Sequence, residues 1–443
     1  MDSSSLLAAL TPEARNEPDS GIVRAAMYGF AKPGIIPVWS GEGNVPTPDA
    51  FARPAAESLL KGETFYTWQR GIPELREALA RYHERQFGRA FSHENFFVTS
   101  GGMHAIETII HLISGAGEEI ILPTPAWPNY AGVLRVSGAK PVEVPMDFAN
   151  GRWRLDLDRL FAARTARTRA IALNSPSNPL GWTATRDELV AIRDFCRKHG
   201  LWIVADEVYT RFFYGERGER RAPSFLDICE DEEQLLLANT FSKNWAMTGW
   251  RVGWLQAPRA LGPAIERIIQ VSSSGTAAFL QRGCVAALEL GDSFIDSQVA
   301  KARANRDMVA DILRQQPEIR FELPAGAFYM FFAIDGMTDS LATTIRIIDE
   351  ANVGFAPGGT FGPGGEGLLL VGDVGVSGSI AGPLRRHLLL RPFDDRFEGH
   401  AGDAAVGGKR LHHVLLRLLG LHVLLQAEDH RLAQIVQVDR AVG

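Results

Sequence analysis

Lys243 is one of only seven lysines in a chain with 46 basic residues, and it closes an apolar run, LLLANTFSK, just before NWAMTGW. A lysine in a partly desolvated place loses proton affinity, so it can form a Schiff base or carry a proton. Its position alone equally suits a surface lysine at a strand end. Four other apolar runs end in groups with chemistry of their own: Ser100-Gly101-Gly102, Pro125-Ala126-Trp127, Asn174 to Asn178, and Asp206-Glu207-Val208-Tyr209. An aromatic ring, an amide, a carboxylate, a phenol and an amine at successive strand ends form a constellation. The run TSGGMHAIETII adds a glycine-bearing loop leading into a helix, whose backbone N–H groups at Gly102 and Met103 face an anion. Read singly, several of these residues have duller roles. Asn178 in SPSNP suits a turn, Arg251 in GWRVGW a salt bridge, and Trp127 a core position.

The elements that must position these groups follow from periodicity. GIPELREALARYHERQFG opens with proline in a first turn and carries Leu75, Leu79 and Tyr82 at helical spacing. Strand-like FFVT, helix-like MHAIETIIHLIS and strand-like EEIILPT follow, and the alternation continues through AIALN, DELVAIRDFCRKHG, WIVAD, LLLANT and GWLQ. Short β-branched runs separated by helices of this length predict βαβ units in a largely parallel sheet. Ligands bind such sheets at the carboxyl ends of the strands, which is where the constellation lies.

Composition narrows the classes. The chain has 443 residues, 46% hydrophobic and 22% charged, with a formal net charge of −6. No basic surface suited to nucleic acid or an anionic membrane is indicated. The opening MDSSSLLAALTPEAR lacks the basic and apolar regions of a signal peptide, and no long uninterrupted apolar stretch occurs, so a soluble cytoplasmic protein is expected. Cys196, Cys229 and Cys284 are widely spaced with no CxxC pair, and are expected to be buried thiols. No metal site is expected.

The runs NTFSKNWAMTGWRVGW, NSPSNPLG and VADEVY, in this family's order and spacing, resemble the class I/II aminotransferases of pyridoxal-phosphate fold type I, the aspartate aminotransferase-like group. The resemblance spans about residues 25–367. It implies an α/β fold: a mostly parallel sheet sandwiched by helices, with a smaller α+β domain. The implied division is an N-terminal segment 1–45 that joins the small domain, a large cofactor-binding domain 46–291, and a small domain 292–367. The implied activity is transfer of an amino group between an amino acid and a 2-oxo acid, with pyridoxal 5′-phosphate as cofactor.

The resemblance also assigns roles. Lys243 holds the cofactor covalently and then shuttles a proton between the substrate α-carbon and the cofactor's C4′. Asp206 pairs with the pyridine nitrogen, while Tyr209 and Asn178 hydrogen-bond the phenolic oxygen. Gly102, Met103, Thr240, Ser242 and Arg251 take the phosphate, and Trp127 stacks on the ring. Tyr66 reaches the phosphate of a neighbouring subunit, which implies a homodimer. Gly41 belongs to the N-terminal segment that closes over substrate. Apart from the resemblance, Trp39, Trp68 and Gln69 are candidates for lining the substrate pocket, and Trp68 suits interface packing equally.

One part of the pattern is missing. After the bend GPGGEG the family places an arginine, which holds the substrate α-carboxylate in bidentate fashion, at the third residue. Here that residue is Leu370. Beyond it, residues 372–443 contain no Trp, Tyr, Met, Cys, Asn or Thr yet hold six of the chain's eleven histidines. A slip of reading frame near codon 368 in GC-rich DNA accounts for such a composition, and translating the other frames tests it. Should the tail be a true divergence, Arg385 or Arg386 is the substitute anchor by residue type alone. Two further functions stay open: a cofactor-binding protein with little turnover, and a fold type I C–S or β-lyase.

Overall fold

Seven short runs, most of them apolar along their whole length, line up as one sheet, because helices cover both of its faces. They are β1 (Phe96–Thr99), β2 (Glu119–Thr124), β3 (Lys140–Pro145), β4 (Thr168–Asn174), β5 (Trp202–Asp206), β6 (Leu235–Thr240) and β7 (Gly253–Gln256). Their spatial order is β1-β7-β6-β5-β4-β2-β3. All neighbours are parallel except β7, which runs antiparallel to both β1 and β6. This is the α/β architecture the strand–helix alternation implies. The computed structural model describes residues 3–215 and 218–372; the tail histidines, Arg385 and Arg386 lie outside the described residues.

Alternation along each strand sorts its side chains between two cores. Ile121, Ile171, Leu173, Ile203 and Leu237 enter one cluster, with Leu189, Ile192 and Cys196 of α3 (Arg186–His199). Ile120, Leu122, Val204, Leu236 and Leu255 enter the other, with Ile106, Ile109 and Ile113 of α2 (Gly102–Ile113). Each fully buried Leu or Ile contributes about 1.5–3 kcal/mol of transfer free energy, so the two layers hold the strand ends in fixed register. A further helix, α1 (Pro73–Phe87), starts on its proline and ends at Gly88, whose φ of 66° the missing Cβ permits.

A second, four-stranded antiparallel sheet has the order β8-β9-β11-β10, from β8 (Ile319–Phe321), β9 (Met330–Ile334), β10 (Ala356–Pro357) and β11 (Leu368–Val371). Its last strand, LLLV, carries Leu370, the position where the resemblance leads one to expect an arginine. Phe331, Leu368 and Leu370 face the first core, shared with Tyr209 and Val208 of the large sheet. Phe332, Leu369 and Val371 face the other way, onto Val309 and Leu313 of α4 (Asp292–Arg314) and Ile347 of α5 (Ser340–Ala351). The chain's beginning joins this sheet's side: Ile36–Pro37 pairs in parallel with Val353–Gly354, and Gly372 N–H donates to the Val38 carbonyl at 2.7 Å.

The three cysteines are free and buried. No described helix is long and apolar enough to cross a membrane, and among the described residues no group of three or more His, Cys, Asp or Glu could hold a metal ion.

Candidate active site

The carboxyl ends of β4, β5 and β6 deliver Asn174, Asp206 and Thr240 side by side, since Asn174 pairs with Asp206 and Asp206 with Ala238 across the ladder. Asp206 is buried at 4% exposure. Burial pushes its carboxyl up to about 7, against the opposing pull of the Val208 N–H, the Lys243 charge and Tyr130. A buried carboxyl in that state has a strong affinity for a cationic or N–H partner. Asn178 is positioned by Asn174, whose Oδ1 accepts from the Asn178 N–H at 2.7 Å, while Asn174 Nδ2 donates to the Asp206 carbonyl. Asn178 Oδ1 is buried with no hydrogen-bond partner among the described residues. The O and N ends of an amide exchange by a flip, so the unpartnered end of Asn178 can meet a ligand oxygen with its NH2.

Lys243 lies three residues past the end of β6. Its Nζ donates to the Gly41 carbonyl at 2.6 Å and lies 5.9 Å from the centre of the Tyr209 ring and 6.0 Å from that of Phe328. Burial lowers its ammonium to about 8; Glu42 and Asp206 oppose that shift and Arg251 adds to it. About one lysine in ten is then neutral at pH 7, compared with fewer than about one in a thousand for an exposed lysine. The amine is therefore a usable base and nucleophile at neutral pH.

The other side of the site joins a helix N-terminus to polar side chains. Gly101, with φ of 92°, turns the chain from β1 into α2, and a Cβ there would run into the Arg251 guanidinium. Thr240 packs against Gly102, and its Oγ1 accepts from the Ser242 N–H at 3.1 Å and pairs with the Ser242 hydroxyl at 2.9 Å. Arg251 takes a left-handed φ of 54° and donates to the Thr248 carbonyl at 2.9 Å, so its exposed guanidinium stays beside the loop. A helix N-terminus, two hydroxyls and a guanidinium thus converge, a combination suited to a phosphate. Trp127 and Met103, both half-buried, each pack against the core that α2 covers.

Gly41 lies within the group, held by Lys243. Tyr66 does not: it is 95% exposed in the single chain, beside the exposed Phe65 and Trp68. Trp39 is buried in the first core, close against Gly29 and Gly354. Leu370 is buried opposite Phe331 and Ala356 in register, on the sheet face shared with Tyr209.

Three residues at the site do not stand out in the sequence. Tyr329, from GAFYMFF, places its hydroxyl 2.6 Å from that of Tyr209. His104 accepts the Ser100 N–H at Nδ1 (3.0 Å) and contacts the Ser272 hydroxyl at Nε2 (2.8 Å), which braces the glycine loop. Glu42 accepts from Thr248 Oγ1 at 2.9 Å. A tyrosine inside the apolar run FYMFF is the one sequence signal that marks Tyr329.

Comparison with known proteins bears on this arrangement. A family model for aminotransferase class I and II matches residues 38–369. An arginine–pyruvate transaminase of Pseudomonas aeruginosa is 33% identical over 337 residues, covering 75% of this chain and 84% of that one. An aspartate aminotransferase of Pyrococcus horikoshii is 32% identical over 340 residues, covering 76% and 85%. The solved aspartate aminotransferase of Thermus thermophilus with maleate superposes with a TM-score of 0.76 at 26% identity, covering 93% of this chain and 99% of that one. These relatives favour transamination over the lyase and low-turnover readings. The chain belongs to the class I and II aminotransferases, pyridoxal-phosphate-dependent enzymes that move an amino group between an amino acid and a 2-oxo acid.

Proposed function

We propose that this chain holds pyridoxal 5′-phosphate through Lys243, with the phosphate on Gly102, Met103, Thr240, Ser242 and Arg251, and the ring between Trp127, Asp206, Tyr209 and Asn178. The observation that carries the reading is the half-buried Lys243 amine, which donates to the Gly41 carbonyl at 2.6 Å in the field of the buried Asp206 carboxyl. When bound, the cofactor supplies an electron sink for the pair released at the substrate α-carbon. The protein's part is positional. Asp206 offers a carboxylate to a ring N–H, and each charge stabilises the other out of water. Tyr209 and Asn178 orient the ring edge. Lys243 Nζ would hold the cofactor and, as a free amine, would take the proton from the donor's α-carbon. The Gly41 strap covers the amine and limits access of water.

The same reading extends to assembly. The exposed Phe65, Tyr66 and Trp68 form the surface through which a second copy completes the site, with Tyr66 of each protomer serving its partner. Residues 46–291 are read as the cofactor-holding domain, 292–367 with 1–45 as the small one, and the cytoplasm as the compartment. The direct test is to load the protein with pyridoxal 5′-phosphate and screen amino-acid donors against 2-oxoglutarate and pyruvate. Formation of the matching 2-oxo and amino products is expected. Release of pyruvate and ammonia from a single donor would sink transamination in favour of lyase chemistry.

A further inference from the structure

Tyr209 and Tyr329 come from different sheets and meet in the interior, each 3% exposed. Tyr209 follows β5 in the large sheet, and Tyr329 immediately precedes β9 in the small one. Their hydroxyls are 2.6 Å apart, their ring centres 5.5 Å apart, and their planes are inclined at 86°. Tyr329 Oη also abuts Gly41, where a Cβ would collide with it, and the Gly41 carbonyl is the group that accepts from Lys243. One hydroxyl therefore touches both the phenol at the site and the strap that holds the amine.

A phenol carries a single proton, so within the pair only one hydroxyl donates to the other. If Tyr209 spent its proton on Tyr329, it would face the site as an acceptor alone. If Tyr329 donates, Tyr209 keeps a proton to offer inward, and accepting a hydrogen bond strengthens that outward donor. We propose, building on the cofactor reading above, that Tyr329 is a positioning residue. Its hydroxyl donates to Tyr209 Oη, locks the Tyr209 ring, and directs the Tyr209 proton onto the cofactor's phenolic oxygen. Because Tyr329 belongs to the small sheet, the strength of that donor depends on how the small sheet sits against the large one.

The test uses the holoenzyme without substrate and follows the pH titration of the cofactor's visible absorbance. A stronger hydrogen bond to the phenolic oxygen stabilises its anionic form and lowers the titration midpoint. Tyr329→Phe keeps the ring and removes the donor, and is expected to raise the midpoint by about half to one pH unit. Replacing Tyr329 with 3,5-difluorotyrosine keeps ring and hydroxyl but sharpens the donor, and is expected to lower it. In a Tyr209→Phe background neither change should move the midpoint further, since Tyr329 acts through Tyr209. An unmoved midpoint in both single variants, or equal shifts with and without Tyr209, overturns the role. Wild-type protein that takes up no cofactor overturns the underlying reading as well, whereas a wild type that titrates beside unresponsive variants overturns the role of Tyr329 alone.

Discussion

Lys243 Nζ donates to the carbonyl oxygen of Gly41 at 2.6 Å, which ties the amine to the N-terminal strap. The strap is itself fastened near the lysine: Thr47 Oγ1 donates to the Ala246 carbonyl and accepts from Trp250 Nε1, and Glu42 accepts from Thr248. The amine is thus covered by backbone on one side and flanked by one acidic side chain from the same strap.

That geometry sets the pH dependence of cofactor capture. Only neutral Lys243 attacks an aldehyde, so the rate of covalent capture by cofactor-free protein should rise with pH and level off above about 8. The Glu42 carboxylate stabilises the ammonium, so Glu42→Gln should move the midpoint lower and speed capture at pH 7. Absorbance traces of cofactor uptake across pH measure both. A midpoint unchanged by Glu42→Gln would show that the acid does not act on the amine.

Glu207, one residue past Asp206, gives a separate stability signature. Its Oε2 accepts from Ser224 Oγ at 2.6 Å and its Oε1 from the Phe225 N–H at 3.0 Å, yet burial raises it from 4.5 to about 7. A carboxyl whose folded pKa lies above its unfolded value contributes stability that is complete below 4.5 and lost as pH rises through about 7. Glu207→Gln removes the titration and keeps an acceptor for Phe225. Relative to wild type, the variant should gain on the order of 3 kcal/mol between pH 5 and 8. Denaturant melts at the two pH values test this, and parallel curves would refute it.

Arg251 should distinguish phosphate from ring. Its guanidinium sits over Gly101, where a Cβ would meet it, and a charged hydrogen bond to phosphate contributes about 1.5–3 kcal/mol. Arg251→Ala should weaken binding of pyridoxal 5′-phosphate about 10- to 100-fold while leaving binding of unphosphorylated pyridoxal nearly unchanged. Equal losses for both would place the arginine elsewhere in the binding energy.

Much of this was legible in the chain because it is local. Runs such as EIILPT and WIVAD are short, β-branched and closed by polar residues, so strand identity and the chemistry at strand ends can be read together. The antiparallel course of β7 was not, since a four-residue apolar run reads identically in either direction. The Tyr209–Tyr329 contact joins residues 120 positions apart, and the His104–Ser272 contact joins residues 168 apart. No periodicity encodes such pairings; they exist only once both sheets have packed. Tyr66 is the opposite case: family resemblance alone marks it, and in the single chain it is 95% exposed, with no local pattern that would single it out.

Leu370 offers the sharpest test of substrate recognition. Strand alternation puts its side chain on the face shared with Val208, Tyr209 and Tyr329, whereas Leu369 points to the α4 and α5 side. An arginine at 370 would bring a guanidinium toward the site, where a substrate carboxylate is its natural bidentate partner. Without substrate the buried charge is costly, so Leu370→Arg should lower Tm. Amino-acid donors should restore that loss, and the corresponding amines without a carboxylate should not. The ratio of kcat/KM for an amino acid over its decarboxylated amine should rise at least about tenfold. Leu369→Arg carries the same charge to the opposite face and should destabilise the protein with no change in that ratio. If both variants leave the ratio where it stands in wild type, residue 370 does not face the bound carboxylate, and the anchor of the substrate lies on another element.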